Sequence, residues 1–107
     1  MPHEIAESDW KRFRPILERA VDRFFAAAVE ELRACLADSS HSARQQFHAT
    51  ADLAGRRKKE LADLVDGVRR SNCVVCIAAL RYRGLITDDE FAQFSPALRD
   101  AIAAILS

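Results

Sequence analysis

Apolar positions recur at helical spacing along almost the whole chain. At 100° per residue, Trp10, Phe13, Leu17, Val21, Phe24, Phe25, Ala28, Val29, Leu32, Cys35 and Leu36 cover an arc of roughly 160°, wider than the ~100° that one neighbouring helix covers. The pattern predicts a long first helix with surplus apolar surface. Ser8 offers an N-cap with Asp9 in the first turn, and Pro15 predicts a short turn over 9–14 before the long helix, or a kink. Residues 38–42 carry no apolar side chain and read as a turn. Ser42 and Gln45 have capping-box spacing, so a second helix is expected from Ala43. Phe47, Ala51, Ala54, Leu61, Val65, Val68 and Val75 keep the helical period, and no proline intervenes before Gly84. A continuous helix over 43–83 would be roughly 60 Å long. Gly55 and Gly67 each weaken it by ~1 kcal/mol without forbidding it, and Gly55 is the place for a bend that would fold it back.

Gly84 supplies the stop, with Arg81 and Arg83 in the last turn. Thr87 and Glu90 repeat the capping-box spacing, and Ser95-Pro96 starts a last helix over 97–106 with Leu98, Ile102 and Ile105 on one side. The expected architecture is all-α, one domain over 1–107. A long antiparallel helical hairpin carries a short C-terminal helical pair, folded over the uniformly apolar stretch from Cys73 to Leu80 and covered by Trp10, Phe91, Phe94 and Leu98. The competing reading makes Cys73–Leu80 a buried strand, because Val74, Val75 and Ile77 are β-branched. No second strand is available to pair with it.

Leu80, Gly84, Leu85, Ile86, Thr87, Glu90 and Phe91 resemble the SHOCT pattern, a short module of helix, Gly-Ile-Thr turn and Glu-Phe helix start. The likeness spans about a quarter of the chain, and the Ser95-Pro96 break departs from the module's continuous second helix. Through Asp9-Trp10, Arg69-Arg70-Ser71, residues 84–87 and Phe94-Ser95-Pro96, the whole chain is similar to a group of short uncharacterised bacterial proteins. These resemblances imply a helical fold, a bacterial source and oligomerisation; neither implies a catalytic residue.

Composition narrows the functional classes. Of 107 residues, half are apolar and 30% charged, with few Gly and Pro, so a packed helical core is expected and disorder is not. Sixteen basic side chains balance sixteen acidic ones, so no global charge draws the chain to nucleic acid or an anionic membrane. The longest uncharged run, Ser71–Leu80, is ten residues, half of the ~20 that span a bilayer. With an odd three cysteines and no signal-peptide plan in Met1–Trp10, a reducing cytoplasmic setting is expected.

Candidate chemistry is sparse. Cys73-Val-Val-Cys76 matches a redox spacing, but the expected helix interior withholds the free N–H groups that activate a thiol, and buried apolar thiols are the expectation. His41, His48 and Asp52 lack a further close metal ligand, and Asp88-Asp89-Glu90 occupies a helix first turn, where carboxylates sit for dipole reasons. No phosphate loop or nucleophile with a neighbouring base is present, so neither enzyme activity, cofactor nor metal is predicted.

Residues 44–83 hold nine basic and four acidic side chains, so Arg56, Arg57, Lys58, Lys59, Arg69 and Arg70 form a candidate patch for a polyanion or an acidic partner. The four acids there each have a basic neighbour four residues away (Asp52–Arg56, Arg56–Glu60, Lys59–Asp63, Asp66–Arg70), as on a solvated helix face. A hairpin turning near residue 40 also sets Asp22 opposite Lys58 as an expected seam ion pair. The leading expectation is a non-enzymatic protein-interaction module: an adaptor, scaffold or small inhibitor that homodimerises into a four-helix bundle through Phe25, Val29, Leu36, Phe47 and Ala51, with no membrane contact. The alternative is a nucleic-acid-associated regulator using the basic stripe.

Overall fold

The computed structural model describes residues 4–107, all helix and connection with no strand among them. Five helices follow in order: α1 (Glu7–Ala37), α2 (Ala43–Val65), α3 (Cys73–Tyr82), α4 (Asp88–Phe91) and α5 (Pro96–Leu106). The molecule is elongated, 53 × 25 × 25 Å. The strand alternative for Cys73–Leu80 is overturned, because this stretch is α3.

α1 differs from expectation at both of its marked positions. It begins at Glu7 with Ala6 at the cap and no side-chain cap, rather than at Ser8, and it runs through Pro15 without interruption. Pro15 and Lys11, whose carbonyl the proline leaves unbonded, are both exposed, while Phe13 and Ile16 on either side are fully buried. Burial of those neighbours holds the helix together where the missing hydrogen bond weakens it.

The expected helix over 43–83 ends at Val65, and Gly55 lies unbent within α2. The chain breaks at Gly67, whose φ of 71° is left-handed, a region that glycine enters without penalty. Asn72 fixes the connection: its Oδ1 accepts from the Arg69 N–H at 2.8 Å, and its Nδ2 donates to the Gly67 carbonyl at 3.1 Å.

The three polar caps form as the spacing predicts. Ser42 with Gln45 and Thr87 with Glu90 are reciprocal capping boxes, and the Ser95 hydroxyl accepts from the Leu98 N–H ahead of Pro96. The caps at Thr87 and Ser95 start α4 and α5, which with α3 lie on the first half of α1. Phe13, Ile16, Ala20, Cys73, Ile77, Leu80, Ile86, Phe94 and Ile102 make one buried cluster, with Trp10 and Phe91 packed on its margin. Beyond Ala20, α1 runs chiefly against α2, with Arg23 still tied to Leu85 and Glu90, and the pair projects as a hairpin.

Candidate interaction surface

The five residues expected to form an interface all lie on that projecting hairpin, and all are exposed: Phe25 (48%), Val29 (42%), Leu36 (57%), Phe47 (70%) and Ala51. On α1, Phe25, Val29, Leu32 and Leu36 share a sector of roughly 60°. That sector is rotated in one sense from Phe24, Ala28 and Cys35, which face α2. On α2, Phe47, Ala51 and Ala54 are rotated in the same sense from Leu53. In an antiparallel pair, equal rotations from the seam bring both stripes to the same side. The result is one continuous apolar face, two helices wide.

The opposite side of the hairpin is polar and closed on itself. Arg57 donates to Glu31 across the seam through Nε (3.0 Å) and Nη2 (2.7 Å), and its Nη1 donates to Glu60. Arg83 reaches Glu60 at 3.3 Å, so α1, α2 and the end of α3 share one charge network. The Arg57 hydrogen bonds hold the Glu31 carboxyl below its ordinary range and raise the guanidinium's own value. The expected seam pair of Asp22 with Lys58 does not form within the chain, because both side chains are exposed on the apolar side and Arg57 is the residue that reaches α1.

The basic residues do not gather into a patch. Arg56, Arg57, Lys58 and Lys59 are consecutive, so they point in directions 100° apart and surround α2. Arg57 is taken by the network above, Lys59 pairs with Asp63 at 3.1 Å, and the Arg70 Nε donates to the Ile5 carbonyl at 2.8 Å. Arg56, Lys58 and Arg69 remain at the surface. Of the four spaced pairs expected, Lys59–Asp63 alone forms among the described residues. Glu60 turns to Arg57 and Arg83 instead, and Asp66 and Arg70 fall beyond the end of α2.

Two polar ties at the packed end were not visible in the pattern. Glu90, expected to serve the helix dipole, is buried and accepts from Arg19 Nε (2.7 Å) and from Arg23 Nη1 (2.7 Å) and Nη2 (3.0 Å). Arg23 Nη1 also donates to the Leu85 carbonyl, which locks the turn before α4 to α1. The Arg23 hydrogen bonds lead in pulling the Glu90 carboxyl down to about 2, with Arg19 and the Thr87 N–H adding to them against burial. The spacing of Arg19 and Arg23, one turn apart on α1, is the signal in the sequence that goes with this clamp. The buried Asp9 carboxylate accepts from the Ser95 N–H (2.8 Å) and hydroxyl (2.6 Å), tying the start of α1 to the cap of α5.

The cysteine pair sits differently from expectation. Because α2 stops early, Cys73 is the first residue of α3 rather than an interior one. That is the position redox pairs use, but burial pushes both thiols up, Cys76 to about 11, so the thiolate is suppressed. Among the described residues no three His, Cys, Asp or Glu side chains stand together as a metal site, and His41 faces Asp38 at 3.4 Å in the hairpin turn. No helix among them is long and apolar enough to cross a membrane. An open groove beside the core is lined by Ile5, Ala6, Asp9, Val74, Leu98 and Ile105, with Asp9 already satisfied by Ser95. The chain has no significant match to a family model, to a curated protein or to a solved structure.

Proposed function

We propose that this chain is a non-enzymatic protein-interaction module, a helical adaptor, scaffold or small inhibitor, that docks through its projecting hairpin onto another protein chain. One observation carries the reading: Phe25, Val29, Leu36 and Phe47 share an open apolar face, while the reverse face is closed by the Glu31–Arg57–Glu60–Arg83 network. A contiguous apolar stripe costs solubility and is characteristic of docking surfaces. Scattered surface leucines would carry no such meaning. The packed end supports this use by holding the hairpin's base through Arg19, Arg23 and Glu90, so the face is presented rigidly. The nucleic-acid reading has less support, since the basic side chains surround α2 instead of lining one groove-sized face.

A photoreactive side chain at Ala51, on the apolar face, and at Ala27, on the polar face, tests the proposal. Irradiation in an extract of the producing cell is expected to yield discrete protein adducts from position 51 and none from position 27. Equal labelling from both positions, or no adduct from 51, overturns it.

A further inference from the structure

We infer that the occupant of the apolar face is a second copy of this chain, paired hairpin to hairpin about a two-fold axis that runs along the hairpin with both tips at the same end. The inference rests on the docking reading above and names its partner. Because α1 ends at Ala37 and α2 begins at Ala43, residues whose numbers sum to about 80 stand at the same height above the tip. On the apolar face this sets Phe25 level with Ala54, Val29 level with Ala51, and Phe47 level with Leu32 and Leu36. The first two heights thus pair a large side chain on α1 with a small one on α2, and Phe47 stands at a height between Leu32 and Leu36. A two-fold axis along the hairpin lays α1 of one copy on α2 of the other at equal height. Phe25 then covers Ala54 of the second copy, Val29 covers its Ala51, and its Phe47 enters between Leu32 and Leu36.

Charge selects the same arrangement. Asp22 and Lys58 are both exposed, stand at equal height, and close off the apolar stripe on α1 and on α2 respectively. Within one chain they make no ion pair, but the two-fold axis brings Asp22 onto Lys58 of the second copy, and symmetry makes the pair twice. Packing with the tips apart would instead lay Phe25 on Leu36 and set Asp22 against the C-terminal end of the other α1. Asp38 and the negative end of the helix dipole meet it there. From the Asp22–Lys58 level to the tip, the face is about 27 Å long and about 20 Å wide, so two copies bury on the order of 1,100 Å², above the ~1,000 Å² a specific interface needs. The product is a four-helix bundle in which each α1 is antiparallel to both copies of α2.

Light scattering and a charge swap test the pairing. The wild-type chain is expected to run at twice its 12.0 kDa mass at micromolar concentration. Asp22→Lys and Lys58→Asp are each expected to weaken association about tenfold, through two symmetric like-charge contacts. The double variant is expected to recover most of that loss, with unchanged helix content in all three because both positions are exposed. Mixing separate Val29→Cys and Ala51→Cys chains, each also carrying Cys35→Ser, is expected to give the mixed disulfide on oxidation. A dimer without rescue, or a Val29→Cys chain that cross-links to itself, overturns the arrangement and leaves the docking reading standing. A wild-type monomer overturns the second copy as occupant, and the adducts at position 51 then decide the docking reading separately.

Discussion

One helix passes through two environments. In its first half, α1 places Phe13, Ile16 and Ala20 at zero exposure; in its second half Phe24 and Ala28 are buried against α2, while Phe25 and Val29, about 100° further round the helix, stand 48% and 42% exposed. Lys11, Arg14 and Glu18 occupy the Phe25–Val29 side in the first half, so the difference lies in the pattern as well as in the neighbours. Around Phe13 three further helices close over α1, and Phe94 lies 6.4 Å from it, centroid to centroid. Around Phe25 there is α2 alone, and one helix covers ~100° of a stripe that is wider than that. Amphipathicity thus states how much surface a helix offers for burial, and the topology decides how much of it is buried within the chain.

Paired truncations of similar chemistry separate the two regions most directly. Phe13→Ala removes a fully buried ring at the centre of the cluster and is expected to cost about 3–5 kcal/mol in urea unfolding. Phe47→Ala, at 70% exposure, is expected to change the stability of dilute protein by less than ~0.5 kcal/mol. Similar losses from both would mean that the two ends share one cooperative core.

Acid also separates the two regions, because the packed end depends on a charge that the apolar face does not. Glu90 titrates near 2 in the fold against an ordinary 4.5. Its folded value lies below the unfolded one, so the carboxylate's contribution is fully present above pH 4.5 and is lost as pH falls from there towards 2. With Arg19 and Arg23 partly exposed, 48% and 35%, the contribution is about 2 kcal/mol. Glu90→Gln is expected to lose roughly that amount at pH 7 and to flatten the stability curve between pH 4.5 and 2. An unchanged acid limb in this variant would remove the clamp from the account.

What the sequence disclosed follows the range of each interaction. The caps at Ser42, Thr87 and Ser95 each join residues three apart, and all three were legible. The surplus apolar stripe was legible too, since periodicity needs only the local helix. Asp9 with Ser95 and Arg19 with Glu90 join residues 86 and 71 apart; the one-turn spacing of Arg19 and Arg23 marks a pair of donors, but no local spacing names the acceptor. The break at Gly67 failed for a subtler reason. A glycine in a helical period costs about 1 kcal/mol and no more, and what makes this one a terminus is Asn72, five residues on, bonding both Arg69 and the Gly67 carbonyl. The misplaced helix end then misplaced Cys73, which moved from a helix interior to a helix start.

The smallest predicted effect tests that boundary between the two regions, because it contrasts two glycines that the sequence treats alike. Gly55 lies in the hairpin arm with ordinary helical backbone, and a methyl group added there meets nothing within 4 Å. Gly55→Ala is therefore expected to stabilise the chain by about 0.5–1 kcal/mol, through higher helix propensity and a less disordered unfolded state. Gly67 also has open space around it, so sterics with neighbours do not distinguish the two. Its φ of 71° does. Gly67→Ala must hold an L side chain in the left-handed region and is expected to lose about 1 kcal/mol. Urea midpoints moving in opposite directions would place the hinge between hairpin and core at Gly67. A stabilised Gly67→Ala would mean that α2 and α3 run on as the single helix the period alone describes.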